Sequence, residues 1–510
     1  MPRLKTICFA AWILTLAFFV SSCGRSADRN TLVMIIESSP ANLDPRIGTD
    51  NQSERIGKLL YDSLLRRDEH FNLQPALAER WETRDPLTYI FHLRHDVRFH
   101  NGAALTSRDV KWTLDSLIQG TVVSAKSSTY KLIDKVETPD DFTVVLHLKS
   151  PYASLLWNLS DGALGIVPYG SGKELAHAPN GSGPFKFVSE EQDNELVVAR
   201  NDQYWGEKPR VERVRFAVIP DITTRALELR KGSADVAVNS LTPDMMDTLR
   251  KNPELEVETA PGTVLMYLAF NLRDPLLKDA RVRQAIAYAI DRQIMIQYLF
   301  RGLAEPAESL LPAQHWAYDA NVRKYPHDPE RAKKLLDDAG YRPVNGVRFH
   351  LTMKTSTEEV TRLLAAVLQQ QLREVGIALD IRTFEFATFY SDVVKGAFQM
   401  YSLRWLGDNE DPGIFEHVFH SASFPPKRAN RGYYVNKQVD EWLDQSRVEP
   451  DEAKRKQLYA KVQEQLAEDL PYVNLWYLNM TAVHSKRLHN AHFSPSGNYD
   501  FLKTTVEMTP

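Results

Sequence analysis

Cysteine is nearly missing from this chain. Cys8 and Cys23 are the only cysteines among its 510 residues. The body of the chain therefore has no pair of thiols for an intramolecular disulfide and no cysteine nucleophile. A body of about 490 residues buries enough apolar surface to be stable without such cross-links.

An excess of positive charge is also missing. The 62 basic and 66 acidic side chains give a formal net charge of −4. This balance disfavours nucleic acid as a partner, because phosphate binding needs concentrated positive charge. Beyond the first 22 residues, no apolar stretch approaches the ~20 residues that a membrane-spanning helix needs. The length predicts two or three domains.

Patterns for catalysis are missing as well. The sequence has no G-x-S-x-G elbow and no P-loop. His95 and His100 are five residues apart in a segment with strand and turn character, whereas a zinc metalloprotease needs two histidines four apart on a helix. His417 and His420, beside Glu416, fit solvated helix positions. We therefore expect no enzyme activity, no cofactor and no metal ion.

The chain does contain an export signal at its start. Two basic residues precede an apolar run over 7–20, which is too short to cross a bilayer and is typical of a secretory signal peptide. The following Val20-Ser21-Ser22-Cys23 resembles the lipobox of bacterial lipoproteins; an ordinary secretory signal is the alternative. We expect a signal peptide over 1–22, lipidation of Cys23 and a polar tether over 23–30.

Hydrophobic patterning beyond residue 30 indicates an α/β protein. Apolar or β-branched runs predict strands at 31–37, 89–93, 142–148, 185–187, 196–198, 377–381 and 471–480. One-faced apolar stripes predict helices at 55–65, after the capping residue Asp279, at 355–375 and across 442–468. The breaker-rich segment 180–184 predicts a domain boundary.

A series of short motifs follows one order along the chain. They are Leu43-Asp44-Pro45, Pro75-Ala76-Leu77-Ala78-Glu79-Arg80-Trp81, Tyr89-Ile90-Phe91-His92-Leu93-Arg94, Asp96-Val97-Arg98-Phe99-His100-Asn101-Gly102, Asp109-Val110, Gly181-Ser182-Gly183-Pro184-Phe185, Tyr204-Trp205-Gly206, Gly232-Ser233-Ala234-Asp235, Asp279-Ala280-Arg281-Val282-Arg283-Gln284-Ala285-Ile286, Ala289-Ile290-Asp291-Arg292, Trp405-Leu406-Gly407-Asp408-Asn409-Glu410-Asp411-Pro412 and Leu470-Pro471-Tyr472. In this order and spacing they resemble the family 5 extracellular solute-binding proteins, the dipeptide- and oligopeptide-binding components of ABC importers, over 31–505.

The resemblance implies a fold and a division into domains. The expected fold is α/β and two-lobed, like that of periplasmic binding proteins of type II, with an extra subdomain on lobe I and two hinge crossovers. Carried onto this sequence, lobe I comprises 31–48, 181–266 and 484–510. The extra subdomain is 49–180 and lobe II is 267–483.

The resemblance also implies a binding site around the tryptophan motif. In similar proteins the aspartate three residues after that tryptophan binds a peptide α-ammonium, which places this role on Asp408. A carboxylate enclosed by two lobes loses water and favours a ligand that brings a cation; a turn role with local amides is the alternative. Trp405 would wall the cleft, and the backbone of Arg404 and Leu406 would pair with an extended ligand.

Three further candidate residues and two differences from the usual family pattern complete the expected site. Ser38, Ser39 and Tyr267 would form the opposite wall, or are ordinary turn and core residues. Arg404 stands where peptide binders usually have glycine; it is either an anchor for a ligand carboxylate or a salt-bridged surface residue. The stretch 354–359 lacks the arginine that dipeptide binders carry there. Longer peptides are therefore the better fit.

These features together predict a function. We expect a monomeric lipoprotein that binds an oligopeptide by lobe closure and delivers it to the permease subunits of an ABC importer. Acylated Cys23 would anchor it to a bacterial membrane, at the periplasm or cell surface, and Gly24 leaves both inner and outer membranes open. The alternatives are another solute on the same fold (a nickel chelate, haem or an oligosaccharide) and a ligand-sensing lipoprotein without transport.

Overall fold

The computed structural model of the chain describes residues 31–152, 154–160, 164–407 and 410–507. Its strands are β1 (Thr31–Ile36), β2 (Leu65–Arg67), β3 (Leu73–Pro75), β4 (Ala78–Asp85), β5 (Thr88–Leu93), β6 (Ile133–Asp140), β7 (Thr143–Leu148), β8 (Phe185–Glu191), β9 (Glu195–Arg200), β10 (Arg213–Val218), β11 (Val236–Val238), β12 (Leu255–Phe270), β13 (Ala304–Pro306), β14 (Phe349–Ser356), β15 (Ile377–Phe384), β16 (Met400–Trp405), β17 (Tyr472–Ser485), β18 (Leu488–His489) and β19 (Val506–Glu507).

The helices lie between these strands. They are α1 (Asn51–Leu60), α2 (Ser107–Ile118), α3 (Ser127–Tyr130), α4 (Leu155–Asn158), α5 (Ile222–Lys231), α6 (Pro243–Leu249), α7 (Ala280–Ala289), α8 (Arg292–Phe300), α9 (Pro329–Asp338), α10 (Glu359–Glu374), α11 (Phe386–Lys395), α12 (Ile414–Phe419), α13 (Lys437–Val448) and α14 (Glu452–Asp469). No helix among the described residues combines the length and apolarity needed to cross a bilayer.

One mixed sheet connects two separate hydrophobic cores. Its strand order is β15-β14-β16-β12-β17-β11-β1-β10-β9-β8, and β13 also pairs with β17. Around β1, β10 and β11 one core contains buried residues such as Met34 and Phe216. Around β14, β15 and α10 another contains Leu351, Leu368 and Ile377. We refer to the β1 end of the sheet as lobe I and the β14 end as lobe II.

A separate small sheet lies inside the segment 49–180. It is antiparallel, in the order β4-β5-β7-β6, and its buried face carries alternate residues such as Phe91, Val144 and Leu146. The helix α2 packs on it through Val110 and Leu114. This sheet has its own core, distinct from the cores of the two lobes.

Two long strands pass from one lobe into the other. β12 and β17 pair antiparallel over most of their lengths, with a register shift between Ala260 and Val264. On the lobe I side of the shift β17 pairs with β11, and on the other side β12 pairs with β16. Gly262 lies at the shift, where an added Cβ would be 2.1 Å from the carbonyl oxygen of Leu478. The two strands therefore form the connection between the lobes; the exact domain limits given above stay predictions.

Three predicted helices differ from the structure in extent. The helix predicted at 55–65 is wrong at both ends, because α1 begins at Asn51 after the capping side chain of Asp50 and Tyr61 is already extended. The helix predicted to begin at 355 begins at Glu359, since Thr355 and Ser356 belong to β14. The helical stretch 442–468 is two helices, α13 and α14. Glu449 separates them and is held extended by the following proline.

Candidate functional site

Two strand edges face each other across the hinge strands. In lobe I, β11 runs antiparallel to β17 with Val238 opposite Ala482, so β11 and the parallel β1 end toward lobe II. In lobe II, β16 runs antiparallel to β12 with Trp405 opposite Leu265, so β16 ends toward lobe I. Ligands of open α/β sheets bind at the carboxyl ends of strands. The space between these two edges is the candidate binding site.

The register of β17 gives the separation of the two edges. Leu265, the partner of Trp405, is opposite Tyr477, and Val238 is opposite Ala482. These β17 positions are five residues apart, or about 17 Å at the ~3.3 Å rise of a strand. Since facing sheets pack ~10 Å apart with side chains between them, the gap is wide enough for an extended peptide.

The end of β16 offers an open hydrogen-bonding edge to this gap. β16 pairs with β12 along its full length, from Met400 to Trp405. It pairs with β14 only at Met400 and Tyr401. From Ser402 onward, no strand among the described residues pairs with β16 on the β14 side. Alternate backbone groups of this segment are therefore available to another extended chain.

An aromatic stack supports the open edge from behind. The ring of Tyr267 lies parallel to that of Tyr472, with centroids 4.5 Å apart, and 5.9 Å from that of Trp405. Tyr267 is fully buried and Trp405 is 6% exposed. Burial raises the pKa of Tyr267 well above its ordinary value, so this phenol stays neutral. Tyr267 is therefore a core residue of lobe II. The role of Trp405 as a wall of the cleft stays a prediction.

Arg404 makes an ion pair on lobe II. Its Nη2 lies 2.7 Å from Oε1 of Glu358, the residue that precedes α10, and both side chains are more than a third exposed. Of the two interpretations of Arg404, this contact favours the salt-bridged surface residue. Leu406, directly after β16, is 61% exposed and lines the gap between the lobes.

The remaining predicted residues lie on lobe I or outside the described chain. Ser38 is exposed just after β1, and the Oγ of Ser39 accepts a hydrogen bond from the backbone N–H of Asp193 at 2.8 Å. Both serines follow the carboxyl end of β1, on the cleft side of lobe I. Asp408, the predicted ammonium ligand, and Cys23, the predicted lipidation site, lie outside the described residues.

Two cavities adjoin each other beside lobe I, and the first of them lies between the lobes. The first has a volume of about 450 Å³ and is lined by α1, α3, α4, the hinge residues Thr263 and Val264, and the segment after β16. The second has a volume of about 520 Å³ and extends along β2. They share the lining residues Lys58, Arg67, Glu410, Ser496 and Asn498. Volumes in this range are typical of small-ligand sites.

Glu410 connects the walls of these cavities, although the sequence motif did not single it out. One carboxylate oxygen lies 3.3 Å from Nη1 of Arg67 at the end of β2. The other accepts a hydrogen bond from the hydroxyl of Thr263 at 3.1 Å. The guanidinium of Arg67 lies 4.4 Å from the ring centroid of Trp157. The position of Arg67 in this site depends on contacts between residues far apart in the chain, which sequence spacing does not show.

Asp62 is the hydrogen-bond acceptor for residues of two family motifs, those that contain Ser182 and Tyr204-Trp205. Its carboxylate accepts hydrogen bonds from Ser182 Oγ at 2.8 Å, Tyr204 Oη at 3.0 Å and Trp205 Nε1 at 2.9 Å. Burial raises the pKa of Asp62, and these three hydrogen bonds oppose that rise. The Tyr204-Trp205 pair therefore stabilises the wall of the second cavity.

His315 supports Glu410 in one fixed tautomer. Its Nδ1 accepts the backbone N–H of Ala317 at 3.0 Å, so its Nε2–H donates to the carbonyl oxygen of Glu410, also at 3.0 Å. The ring stacks on Phe71 with centroids 5.5 Å apart. Burial lowers the pKa of His315 to about 4, and a second proton would place an N–H against that of Ala317.

His315 therefore makes stability depend on pH in a defined window. The unfolded histidine has a pKa of ~6.5, so the unfolded state binds more protons between pH ~6.5 and ~4, and the free energy of unfolding falls as the pH falls through this range. We expect the loss from pH 7 to pH 5 to be about 1–2 kcal/mol smaller in His315→Gln than in the wild type. Urea unfolding at both pH values measures this; equal losses would contradict it.

One group of side chains in the described chain has a spacing suited to a metal ion. The ligand atoms of Glu256, Glu258 and His484 lie within 4.8 Å of one another on the lobe I half of β12 and β17. A direct contact accounts for part of this geometry, because His484 Nε2 lies 3.1 Å from Oε1 of Glu258. None of the three lines either of these two cavities.

This arrangement is a two-lobed solute-binding fold with a candidate ligand site between its lobes. The family model for bacterial extracellular solute-binding proteins, family 5, matches residues 72–424. The chain belongs to this family, and the predicted family and fold class are confirmed. Members of the family are solute-binding proteins.

Individual relatives match over nearly their full lengths. A glutathione-binding protein of Pectobacterium atrosepticum is 29% identical, with 92% of this chain and 93% of the relative covered. A di/tripeptide-binding protein of Pseudomonas aeruginosa is 28% identical, with 97% and 98% covered. Among solved structures, the ABC transporter-associated periplasmic binding protein DppA of Helicobacter pylori, in complex with the peptide STSA, is 26% identical with a TM-score of 0.74. That match covers 94% of this chain and 98% of the other.

Proposed function

We propose that this protein is the peptide-binding component of an ABC importer. The observation that carries the proposal is the open edge of β16 beyond Tyr401, whose continuation, Leu406 and Gly407, lines the 450 Å³ cavity. A peptide is the ligand whose backbone complements such an edge, since it can add as a further strand. The relatives named for di- and tripeptides and for glutathione, itself a peptide, support the same class of ligand.

A ligand that pairs with this edge is recognised through its main chain. Side chains of the bound peptide would alternate between the two faces of the added strand and extend into the cavities of about 450 and 520 Å³. Water left in such cavities accepts side chains of different size and polarity. We therefore expect broad tolerance of side chains and a strict requirement for a peptide backbone.

The termini of the peptide then fix its position. Asp408 would bind the α-ammonium, as the family motif implies. Closure of the lobes about β12 and β17 would remove this ion pair from water, which strengthens the attraction. The closed, ligand-bound form is the state that the permease would recognise.

The place of the protein in the cell follows from the same proposal. The signal peptide over 1–22 would direct export, and acylated Cys23 would hold the protein at a bacterial membrane, with residues 23–30 as the tether. The folded part would act as a monomer outside the cytoplasm. The match to a periplasmic protein associated with an ABC transporter supports this location.

A thermal-shift screen tests the ligand class. The chain from Ser26 onward, without its lipid, is mixed with di- to hexapeptides, nickel–histidine, haem or oligosaccharides. A ligand at 100 times its Kd stabilises the native state by about 2.7 kcal/mol, so we expect a clear rise in Tm with peptides alone. A rise only with a metal chelate, haem or a sugar would overturn the peptide assignment, and the length series identifies the preferred peptide.

A further inference from the structure

The cavity wall formed by α1 is basic, and this feature defines a second anchor for the ligand. We propose that Arg55 and Lys58 bind a carboxylate of the peptide whose backbone pairs with β16. This inference rests on the proposed function. This carboxylate is the C-terminus or an acidic side chain. The anchor differs from the arginine before α10 that dipeptide binders use and that this chain lacks.

The helical period places these cations in the cavity. Asn51, Glu54, Arg55 and Lys58 follow the i, i+3, i+4, i+7 spacing of one helix face, and all four line the 450 Å³ cavity. The opposite face of α1 is buried through residues such as Ile56, Leu59 and Leu60. Burial of that face in the lobe I core therefore fixes the direction of the charged face.

Neighbouring residues hold Arg55 in place. Its guanidinium carbon lies 5.5 Å from the ring centroid of Tyr499. The Tyr499 hydroxyl in turn donates to Oε1 of Gln52 at 2.7 Å, so the ring is itself fixed to α1. The guanidinium of Arg55 also hydrogen-bonds the Tyr499 hydroxyl, and its other N–H groups can bind a carboxylate.

The charges around α1 favour an anion. The described lining of the 450 Å³ cavity contains four cations, Arg55, Lys58, Arg67 and Lys126, and three carboxylates, Glu54, Glu410 and Asp411. Two of these carboxylates already have a cation beside them: Glu54 lies 3.7 Å from Lys126, and Glu410 lies 3.3 Å from Arg67. The described lining of this cavity therefore has one more cation than carboxylates, and Lys58 also lies near Asp500, which lines the second cavity.

Asp500 lies close to Lys503 and Lys58 and shares their positive charge. Burial alone would raise the pKa of Asp500, but the nearby ammonium groups of Lys503 and Lys58 outweigh burial and hold the pKa below its ordinary value. The same positive charges would keep a ligand carboxylate ionised. Lys58 also lines both cavities.

The opposite wall of the same cavity belongs to the open strand edge. Leu406 and Gly407, which continue β16, line the 450 Å³ cavity together with Arg55 and Lys58. A peptide held at β16 by its backbone can thus extend toward α1 within one continuous space. The cations would select peptides with a free carboxylate at that end.

Isothermal titration with matched peptides tests the proposal. Trialanine, trialanine amide and an amidated Ala-Ala-Glu are titrated into the purified wild-type protein, Arg55→Gln, Lys58→Gln and the charge-preserving Arg55→Lys. The control is Arg230→Gln, which removes an exposed arginine from α5. Thermal unfolding of each variant confirms that it folds.

The expected result is a selective loss. Arg55→Gln and Lys58→Gln each weaken trialanine binding about tenfold and leave the amide within about threefold of its wild-type Kd. Arg55→Lys keeps the charge but not the guanidinium geometry, so it loses less affinity than Arg55→Gln without matching the wild type, and Arg230→Gln changes nothing. If the glutamate peptide alone shows the loss, the carboxylate is that of a side chain. Equal losses for acid and amide peptides, or no loss, overturn the anchor while peptide binding stands; no binding of any peptide to the wild type overturns the proposed function too.

Discussion

Replacement of Asp408 by asparagine is expected to weaken peptide binding by about 30-fold or more. Loss of one partner of an enclosed, hydrogen-bonded ion pair costs about 2–5 kcal/mol, which corresponds to a factor of roughly 30 to several thousand in Kd. Asparagine keeps the size of the side chain and its ability to accept local hydrogen bonds, so the loss reports the charge. Isothermal titration of tripeptides into wild type and Asp408→Asn measures it.

The ligand provides a second measure of the same contact. An N-acetylated tripeptide has no ammonium group, so it should bind the wild type weakly and bind Asp408→Asn with nearly the same Kd. Asp134→Asn, an exposed change on β6, is the control and should behave as the wild type. Equal affinity of wild type and Asp408→Asn for the free tripeptide would remove Asp408 from the site.

Replacement of Asp44 by alanine is expected to produce the largest loss of stability. Its carboxylate receives Nε of Arg46 at 3.0 Å and Nη2 at 2.7 Å, and both residues are at most 1% exposed. Without Asp44 the guanidinium is buried with no opposite charge, which costs about 3–5 kcal/mol. Urea unfolding at pH 7 measures this cost.

A double variant distinguishes a structural ion pair from a binding residue. Asp44→Leu with Arg46→Met replaces both charges by apolar groups, so it should recover most of the lost stability. Peptide Kd at 10 °C should remain within about threefold of the wild type in both variants. If the double variant were as unstable as Asp44→Ala, the packing around the pair, rather than its charge, would be the source of the stability.

Local signals in the sequence predicted several elements well. The helix after Asp279 is present as α7, and the carboxylate of Asp279 accepts the N–H of Arg281 as its cap. The strands predicted at 185–187 and 196–198 are present in β8 and β9, which pair as a hairpin. These elements depend on contacts within a few residues, which is the range over which caps, turns and periodicity act.

Long-range pairing set the limits of the sequence prediction. The strand predicted over 471–480 continues to Ser485, because β17 pairs with β11 and with the start of β12, more than 200 residues earlier. The open edge of β16 could not be predicted from the sequence for the same reason. Whether a strand has one neighbour or two depends on the sheet order, and β14 departs from β16 after only two pairs.

Some residues of the family motifs have structural roles. Arg283, in the motif before α8, is buried and donates to the carbonyl oxygens of Leu277 and Leu470, so it stabilises lobe II. Arg55 and Lys58 belong to none of the motifs, yet they line the cavity. Ordered motifs therefore predicted the family and the fold, whereas the charged lining became visible only from the packing of α1.

The distance between the lobes in solution tests the central claim directly. The chain from Ser26 onward contains no cysteine, so spin labels can be attached at two introduced cysteines, Gln192→Cys in lobe I and Thr383→Cys in lobe II. Both positions are exposed near the facing strand edges. A peptide enclosed by the lobes should convert a broad distance distribution into a narrower one at shorter distance. A distribution that a saturating peptide leaves unchanged would contradict enclosure by lobe closure.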